Sequence, residues 1–408
     1  MSSRGSIRGL ALLVALAGCA GAPADAPARS VPGAPPAMPP APVAPVAPPA
    51  ASGAAAAAAN GAAAGAAEPQ ATGSGVPLDA PSTSEGAPAS PPPRVARGTG
   101  TPADRKLEEG DAAYASGDFA AAERAYRAAA LLDRRDPAAI VGTQRAAIAR
   151  AGVSSDYNGA PGDKTLLAAI PELKRAVKLD PEHAPAHLEL GRALLVLGRA
   201  DAALGELARA AELAPSDPEA RSALGVAHLA LGHLQDAVRE LTRSAELAPG
   251  DAERQANLGT ALLAAGKTAD AIRAYERAAR LSPADARLQN DLGTALLAAN
   301  DPARAVPYLE AAVARDPARA TYRSNLGYAY HLRGDLPKAT ALYREALRLD
   351  DKLGSAWINL GNALAQSGQL KEARAAYEKA RAVDPADPRV KAVMDELDAI
   401  ERRGAAPR

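Results

Sequence analysis

A glycine returns every 34 residues along the C-terminal half of this chain. Gly191, Gly225, Gly259, Gly293, Gly327 and Gly361 keep that interval without a slip. A chain with such a period folds as stacked copies of one small unit, each contacting only its neighbours, and not around a single closed core. Other positions keep the same register. Ala203, Ala237, Ala271, Ala305, Ala339 and Ala373 follow 12 residues after each glycine. Leu207, Leu241, Tyr275, Leu309, Tyr343 and Tyr377 follow four residues later still.

Each unit reads as two amphipathic helices. Leu258, Gly259 and Leu262 share a face at helical spacing, as do Ala271, Tyr275 and Ala278. Small residues such as Gly259 and Ala271 let the paired helices approach closely, and larger ones fill the remaining space. A second glycine lies midway, at Gly198, Gly232, Gly266, Gly334 and Gly368, with Asn300 in its place once. Glycine suits a left-handed helix C-cap, and asparagine is the usual substitute there. Prolines at 215, 249, 283, 317 and 385 close most units, with Asp351 taking that place once.

The pattern resembles the tetratricopeptide repeat family, with its L-G-x-x-Y/L, A, F/Y/L, A and P positions on a 34-residue unit. The resemblance implies an all-α, right-handed α-solenoid of about eight helix-turn-helix units: one at 101–137, a degenerate one at 138–183 and six over 184–387. In the degenerate unit Arg145 stands where the glycine belongs, and a 12-residue insertion after Gly152 is expected to protrude between two helices. Val390, Val393, Leu397 and Ile400 predict a capping helix within 388–408. The family's tryptophan position holds His187, Arg221, Gln255, Gln289 and Arg323, and only Trp357 matches. Aromatic packing is therefore expected to be light.

The N-terminal part is of another kind. Arg4 and Arg8 precede an apolar run, Gly9 to Gly18, which is about half of the ~20 residues a spanning helix needs. Leu16-Ala17-Gly18-Cys19 resembles the lipobox of bacterial lipoproteins. The resemblance implies a signal peptide at 1–18, lipid attachment at Cys19 and a membrane-anchored protein of the cell envelope. Ala20, with no aspartate, implies the outer membrane facing the periplasm. Residues 21–100 contain 27 Ala, 18 Pro and 10 Gly and no aromatic residue, so 19–100 reads as a disordered tether. Its length allows a reach of roughly 50 Å as a flexible chain.

Composition removes other classes. Lys and Arg together number 47, as do Asp and Glu, which argues against a nucleic-acid partner. The single cysteine excludes a disulfide framework or a paired-cysteine metal site. His183 and His187 have metal-pair spacing, but Pro185 marks a helix start between them; no metal or cofactor is expected. No nucleophile elbow, zinc-protease motif or phosphate loop is present, so no catalytic residue is assigned.

By resemblance, the first helices of successive units line a groove. Asn257, Asp291, Asn325 and Asn359 recur there at the repeat interval, with Tyr328 and Asn362 beside them. Amides both donate and accept. The ladder either pairs with the backbone of an extended peptide, as in O-linked N-acetylglucosamine transferases, or satisfies local groups. The expected function is a non-catalytic scaffold binding envelope proteins or peptides, of the layout of type IV pilus pilotins and secretion-pore helpers. The alternative is a regulatory subunit of a peptidoglycan synthase or hydrolase.

Overall fold

The computed structural model describes residues 94–153 and 157–405. The signal peptide, Cys19 and the tether up to residue 93 lie outside them. All regular structure among the described residues is helical, in consecutive helix-turn-helix pairs. The pairs are α1 (Pro102–Ala115) with α2 (Phe119–Leu132), α3 (Pro137–Arg150) with α4 (Lys164–Leu179), α5 (Ala184–Val196) with α6 (Ala200–Leu213), and α7 (Pro218–Ala230) with α8 (Leu234–Leu247). There follow α9 (Ala252–Ala264) and α10 (Thr268–Leu281), α11 (Ala286–Ala298) and α12 (Pro302–Arg315), α13 (Ala320–Leu332) and α14 (Leu336–Leu349), then α15 (Gly354–Gln366) and α16 (Leu370–Val383). A last helix, α17 (Pro388–Ala405), closes the series. This is the all-α helix-turn-helix solenoid class that the period predicts.

Local chemistry sets where each helix starts and stops. Asp136, Asp217, Asp251 and Asp301 accept a backbone N–H of the first turn, a cap worth about 1 kcal/mol each. Proline follows directly in α3, α7 and α12, where its missing N–H is no loss. At the midway turns the backbone is left-handed: Gly198, Gly232, Gly266, Gly334 and Gly368 have φ of 72–81°, and Asn300 has φ 57°. The substitution of asparagine for glycine is thus a conformational equivalence.

Two compact units divide at residue 295. Within 94–295 the repeat glycines serve one purpose, which is to seat a large side chain of the second helix. Gly191 lies under Leu207, Gly225 under Leu241 and Gly259 under Tyr275. Tyr126 sits between two glycines, Gly110 and Gly142. Within 296–405, Gly327 receives Tyr343 and Gly361 receives Tyr377. So the expected closeness of glycine and alanine is a pairing of glycine with a ring or leucine 16 residues on. Val390, Val393 and Leu397 of α17 are buried against this second core and Ile400 packs on it, which makes α17 a cap.

Tyrosine in that slot brings a hydroxyl inside. In three of the four cases the residue after the glycine answers it, while the Tyr343 hydroxyl is buried without a hydrogen-bond partner among the described residues. Tyr126 donates to Asp111 at 2.8 Å, Tyr275 lies 2.9 Å from the Thr260 hydroxyl, and Tyr377 donates to Asn362 at 2.8 Å. Gly361→Ala tests the seat. A methyl there would overlap the Tyr377 ring, which is fully buried and held by its hydroxyl. We expect a loss of about 1–3 kcal/mol from overpacking, against a gain of about 1 kcal/mol in helix propensity. Gly259→Ala, whose nearest ring atom would be 2.9 Å away, should lose less. Urea midpoints of the two variants measure the difference.

The tryptophan position is light in aromatic rings, as expected, but three of the residues that replace the ring keep a polar contact. His187 Nε2 lies 3.0 Å from the Pro181 carbonyl, Gln289 donates to Pro283 at 3.2 Å, Arg323 donates to Pro317, and Trp357 donates to Asp351 at 2.8 Å. Each reaches the carbonyl six residues back, so histidine, glutamine and arginine keep the indole's polar contact while giving up its bulk. One expectation is revised: the described later part of the insertion in the second unit, from residue 157, docks on α5 and does not protrude. Asn158 and Ala160 donate backbone N–H to the Leu195 and Val196 carbonyls at 3.0 and 3.2 Å. Carbonyls of a last helical turn are short of helical donors, and that of Leu195, which also accepts the Gly198 N–H at 2.8 Å, takes a second donor from this loop.

Candidate interaction groove

In the unit 94–295 the first helices lie side by side: α1 touches α3, α3 touches α5, α5 touches α7 and α7 touches α9. In the unit 296–405, α13 touches α15. Residues at one repeat position therefore recur along a wall built from first helices. The six residues of the expected ladder all stand on first helices, in unequal settings.

Asn257 is buried on α9 and its amide donates to Ser222 Oγ of α7 at 3.3 Å. Asp291 on α11 accepts from Arg287 at 3.3 Å and from the Asn290 amide at 3.5 Å. Burial pushes its carboxyl up to about 6, with Arg287 acting the other way. On α13, Asn325 is buried, and the half-buried Tyr328 meets His331 edge-on at 6.3 Å between ring centroids. Asn359 is half-buried on α15, while Asn362 is buried and holds the Tyr377 hydroxyl. Asn257 and Asn362 thus spend amide groups on packing. Tyr328 and Asn359 keep surface on the wall.

Sequence reasoning missed three charge clusters on the same wall, the first two largely buried and the third half-buried. In the first, Arg145 of α3 lies 3.0 Å from Asp111 of α1, donates to the Tyr126 hydroxyl at 2.8 Å, and covers the Tyr114 ring at 4.3 Å. Burial pushes the Tyr114 hydroxyl up to about 12. In the second, Arg192 of α5 pairs with Glu219 of α7 and lies 4.0 Å from Glu189. Burial pushes Glu219 up to about 7. In the third, Arg287 of α11 pairs with Glu253 of α9 and approaches Asp291 and Asp285 at 3.3 and 4.0 Å. Burial pushes Glu253 up to about 7 as well. Arg145 in place of a repeat glycine was the one visible signal; Arg192 and Arg287 occupy positions where residue type varies freely.

Ahead of α1, residues 94–100 lie against the wall. Val95 is buried, and its N–H together with that of Ala96 reaches the Asp111 carboxylate at 3.0 Å. Arg97 N–H donates to Asp104 at 2.8 Å and the Arg97 guanidinium pairs with Asp136 at 2.9 Å. Burial resists the charge on Asp104, yet the N–H donors of Arg97, Thr99 and Gly100 hold its carboxyl below the usual range.

His183 stands at the start of α5 with no side-chain hydrogen bond to its first turn, and His187 points into the hairpin, where Nδ1 lies 2.7 Å from Glu206. No group of three metal-ligating side chains gathers among the described residues, and no described helix is long and apolar enough to cross a membrane.

Comparison with known proteins adds to this. Two sequence profiles, both of the tetratricopeptide repeat, match the chain: one at 222–286, 256–300 and 290–353, the other at 162–225 and 330–397. Together they span 162–397, more than half of the 408 residues. No curated protein matches. Among solved structures, the APC/C hetero-tetramer Cut9–Hcn1 superposes with a TM-score of 0.54 at 16% identity, over 74% of this chain and 57% of that one. YrrB, titled as a TPR protein with an unusual peptide-binding site, gives a TM-score of 0.38 at 21% identity, over 46% of this chain and 97% of that one. PilF of Pseudomonas aeruginosa gives 0.45 at 18%, over 53% and 98%. These are likenesses of fold.

Proposed function

The chain belongs to the tetratricopeptide repeat family, and on that footing we propose that it is the lipid-anchored interaction scaffold of an envelope assembly, of pilus or secretion type. The repeat fold is one that typically binds proteins or peptides without catalysis. What carries the reading here is the wall of first helices, where Tyr328 and Asn359 leave polar and aromatic surface to a partner while their neighbours are spent on packing. The envelope setting rests on Leu16-Ala17-Gly18-Cys19 and on the Ala/Pro/Gly-rich stretch behind it. Acylation at Cys19 fixes the chain to a membrane, on the periplasmic side of the outer membrane given Ala20, and the tether lets the repeats work away from it.

Two linked measurements test this on the full chain. In a bacterial host the protein should partition with detergent, and Cys19→Ser should shift it to the aqueous phase. A photo-crosslinking residue at Asn359 should capture an envelope protein, and one at Arg344, exposed on the second helix α14, should not. A parent chain in the aqueous phase removes the anchor; equal capture from both positions removes the groove.

A further inference from the structure

The segment 94–100 sits on the wall as a ligand would. It forms neither helix nor strand, its one branched apolar side chain is buried, and the N–H groups of Val95, Ala96 and Arg97 are taken by two carboxylates. Those carboxylates are repeat positions. Asp104 precedes its unit's glycine by six residues, as Glu219, Glu253 and Arg287 do theirs. Asp111 follows its glycine directly, as Thr260 and Asn362 do. The segment therefore occupies positions that are presented again further along the first helices. Arg97 reaches on to Asp136, the cap of α3, so the contact spans two units. Gly98 and Gly100, both with left-handed backbone and open space around them, let the chain turn from this contact into α1.

We propose that Asp104, Asp111 and Asp136 form a binding site for an extended peptide segment of a partner protein. Its pattern is a branched apolar residue followed two places on by arginine, and residues 94–100 hold the site in cis until the partner displaces them. Recognition is mostly through backbone N–H groups, which carboxylates accept strongly. The buried Val95 slot selects a small branched side chain, and Asp136 selects the cation. The tether runs directly into residue 94, so exchange at this site changes how the repeats hang from their attachment. This inference rests on the scaffold reading, but it concerns the unit 94–295, whereas the Asn359 crosslink probes the other.

The probe is a fluorescein-labelled peptide of residues 94–101, RVARGTGT, read by anisotropy against the full chain in detergent. A segment joined in cis competes at an effective concentration of about millimolar. The parent should therefore bind the probe at least about tenfold more weakly than an opened variant, Val95→Asp with Arg97→Ala. A probe carrying aspartate in place of its valine should not bind the opened variant. The proposal is overturned if the opened variant keeps its helicity and ignores the probe, if parent and variant bind alike, or if both probes bind equally. Should the opened variant lose helicity, amide exchange on the parent decides. Val95 and Ala96 N–H exchanging well ahead of the α1 amides supports a displaceable ligand. Exchange only together with α1 makes the segment part of the core and ends the proposal.

Discussion

Replacing Arg145 by glycine should destabilise the protein, although glycine is what the other repeats carry at that position. Restoring a repeat consensus usually stabilises. Here the arginine is buried with its guanidinium on Asp111 and on the Tyr126 hydroxyl. Removing one member of a buried pair leaves the other charge without compensation, at a typical cost of about 3–5 kcal/mol. Asp111 would retain the Val95 and Ala96 N–H groups and the Tyr126 hydroxyl, which places Arg145→Gly at the lower end, about 3 kcal/mol. Asp111→Asn removes the stranded charge, so the double variant should recover part of the loss, with a coupling of about 1–3 kcal/mol. Urea unfolding of the two single variants and the double variant measures all three terms. An Arg145→Gly protein as stable as the parent would mean that the cluster carries no net stability.

How far the fold could be read from sequence follows from which interactions are local. The period, the left-handed turn at Asn300 and the capping helix are set by backbone geometry and by apolar spacing within one unit, and both leave marks on neighbouring residues. The glycine at each hairpin was legible as a close approach, but its partner 16 residues away was not named. That three of the four buried tyrosines take a hydrogen-bonding residue after the glycine was in the sequence all along: Asp111, Thr260 and Asn362 accompany Tyr126, Tyr275 and Tyr377, and only Tyr343 goes without. It shows only once the hydroxyl is known to be inside. His187, Gln289 and Arg323 were read as a lost ring because residue-type matching does not see that all three, like indole, present an N–H. The docked insertion depended on the Leu195 and Val196 carbonyls of α5, which come beside it only in the fold. On the wall, the ladder was placed on the first helices by period alone. Which members retain surface was decided by neighbours one repeat away, such as Ser222 beneath Asn257. The charge clusters join residues 27 to 34 apart across units, where no local pattern could announce them.

The third of those clusters gives the largest expected effect with a sign that depends on pH. Three carboxylates, from Glu253, Asp291 and Asp285, converge on the single Arg287 guanidinium. One cation cannot offset the burial of that much negative charge, so Glu253 and Asp291 are pushed up to about 7 and about 6. Both folded values lie above the ordinary values of 4.5 and 3.8, so folding favours the protonated carboxyls. The stability this contributes is fully present below about pH 4 and is lost as pH rises through 6 and 7. This cluster's own contribution should therefore favour the fold more at pH 5 than at pH 8, against the opposite trend from His183, whose imidazole burial pushes down to about 4. Arg287→Ala sharpens the contrast. At pH 8 it leaves ionised carboxylates facing one another in a half-buried site, for a loss of about 1–3 kcal/mol, between that of an exposed pair and that of a fully buried one. At pH 5 Glu253 and Asp291 can take up protons instead, and the loss should fall to about half or less of that. Glu253→Gln keeps the shape without the charge and should flatten the pH dependence while leaving helicity intact. Thermal unfolding of parent and variants followed by helicity at both pH values decides the matter. A loss from Arg287→Ala that is equal at the two pH values, or larger at pH 5, would mean that these carboxyls titrate as solvent-exposed groups do and that the wall is wetter than its burial implies.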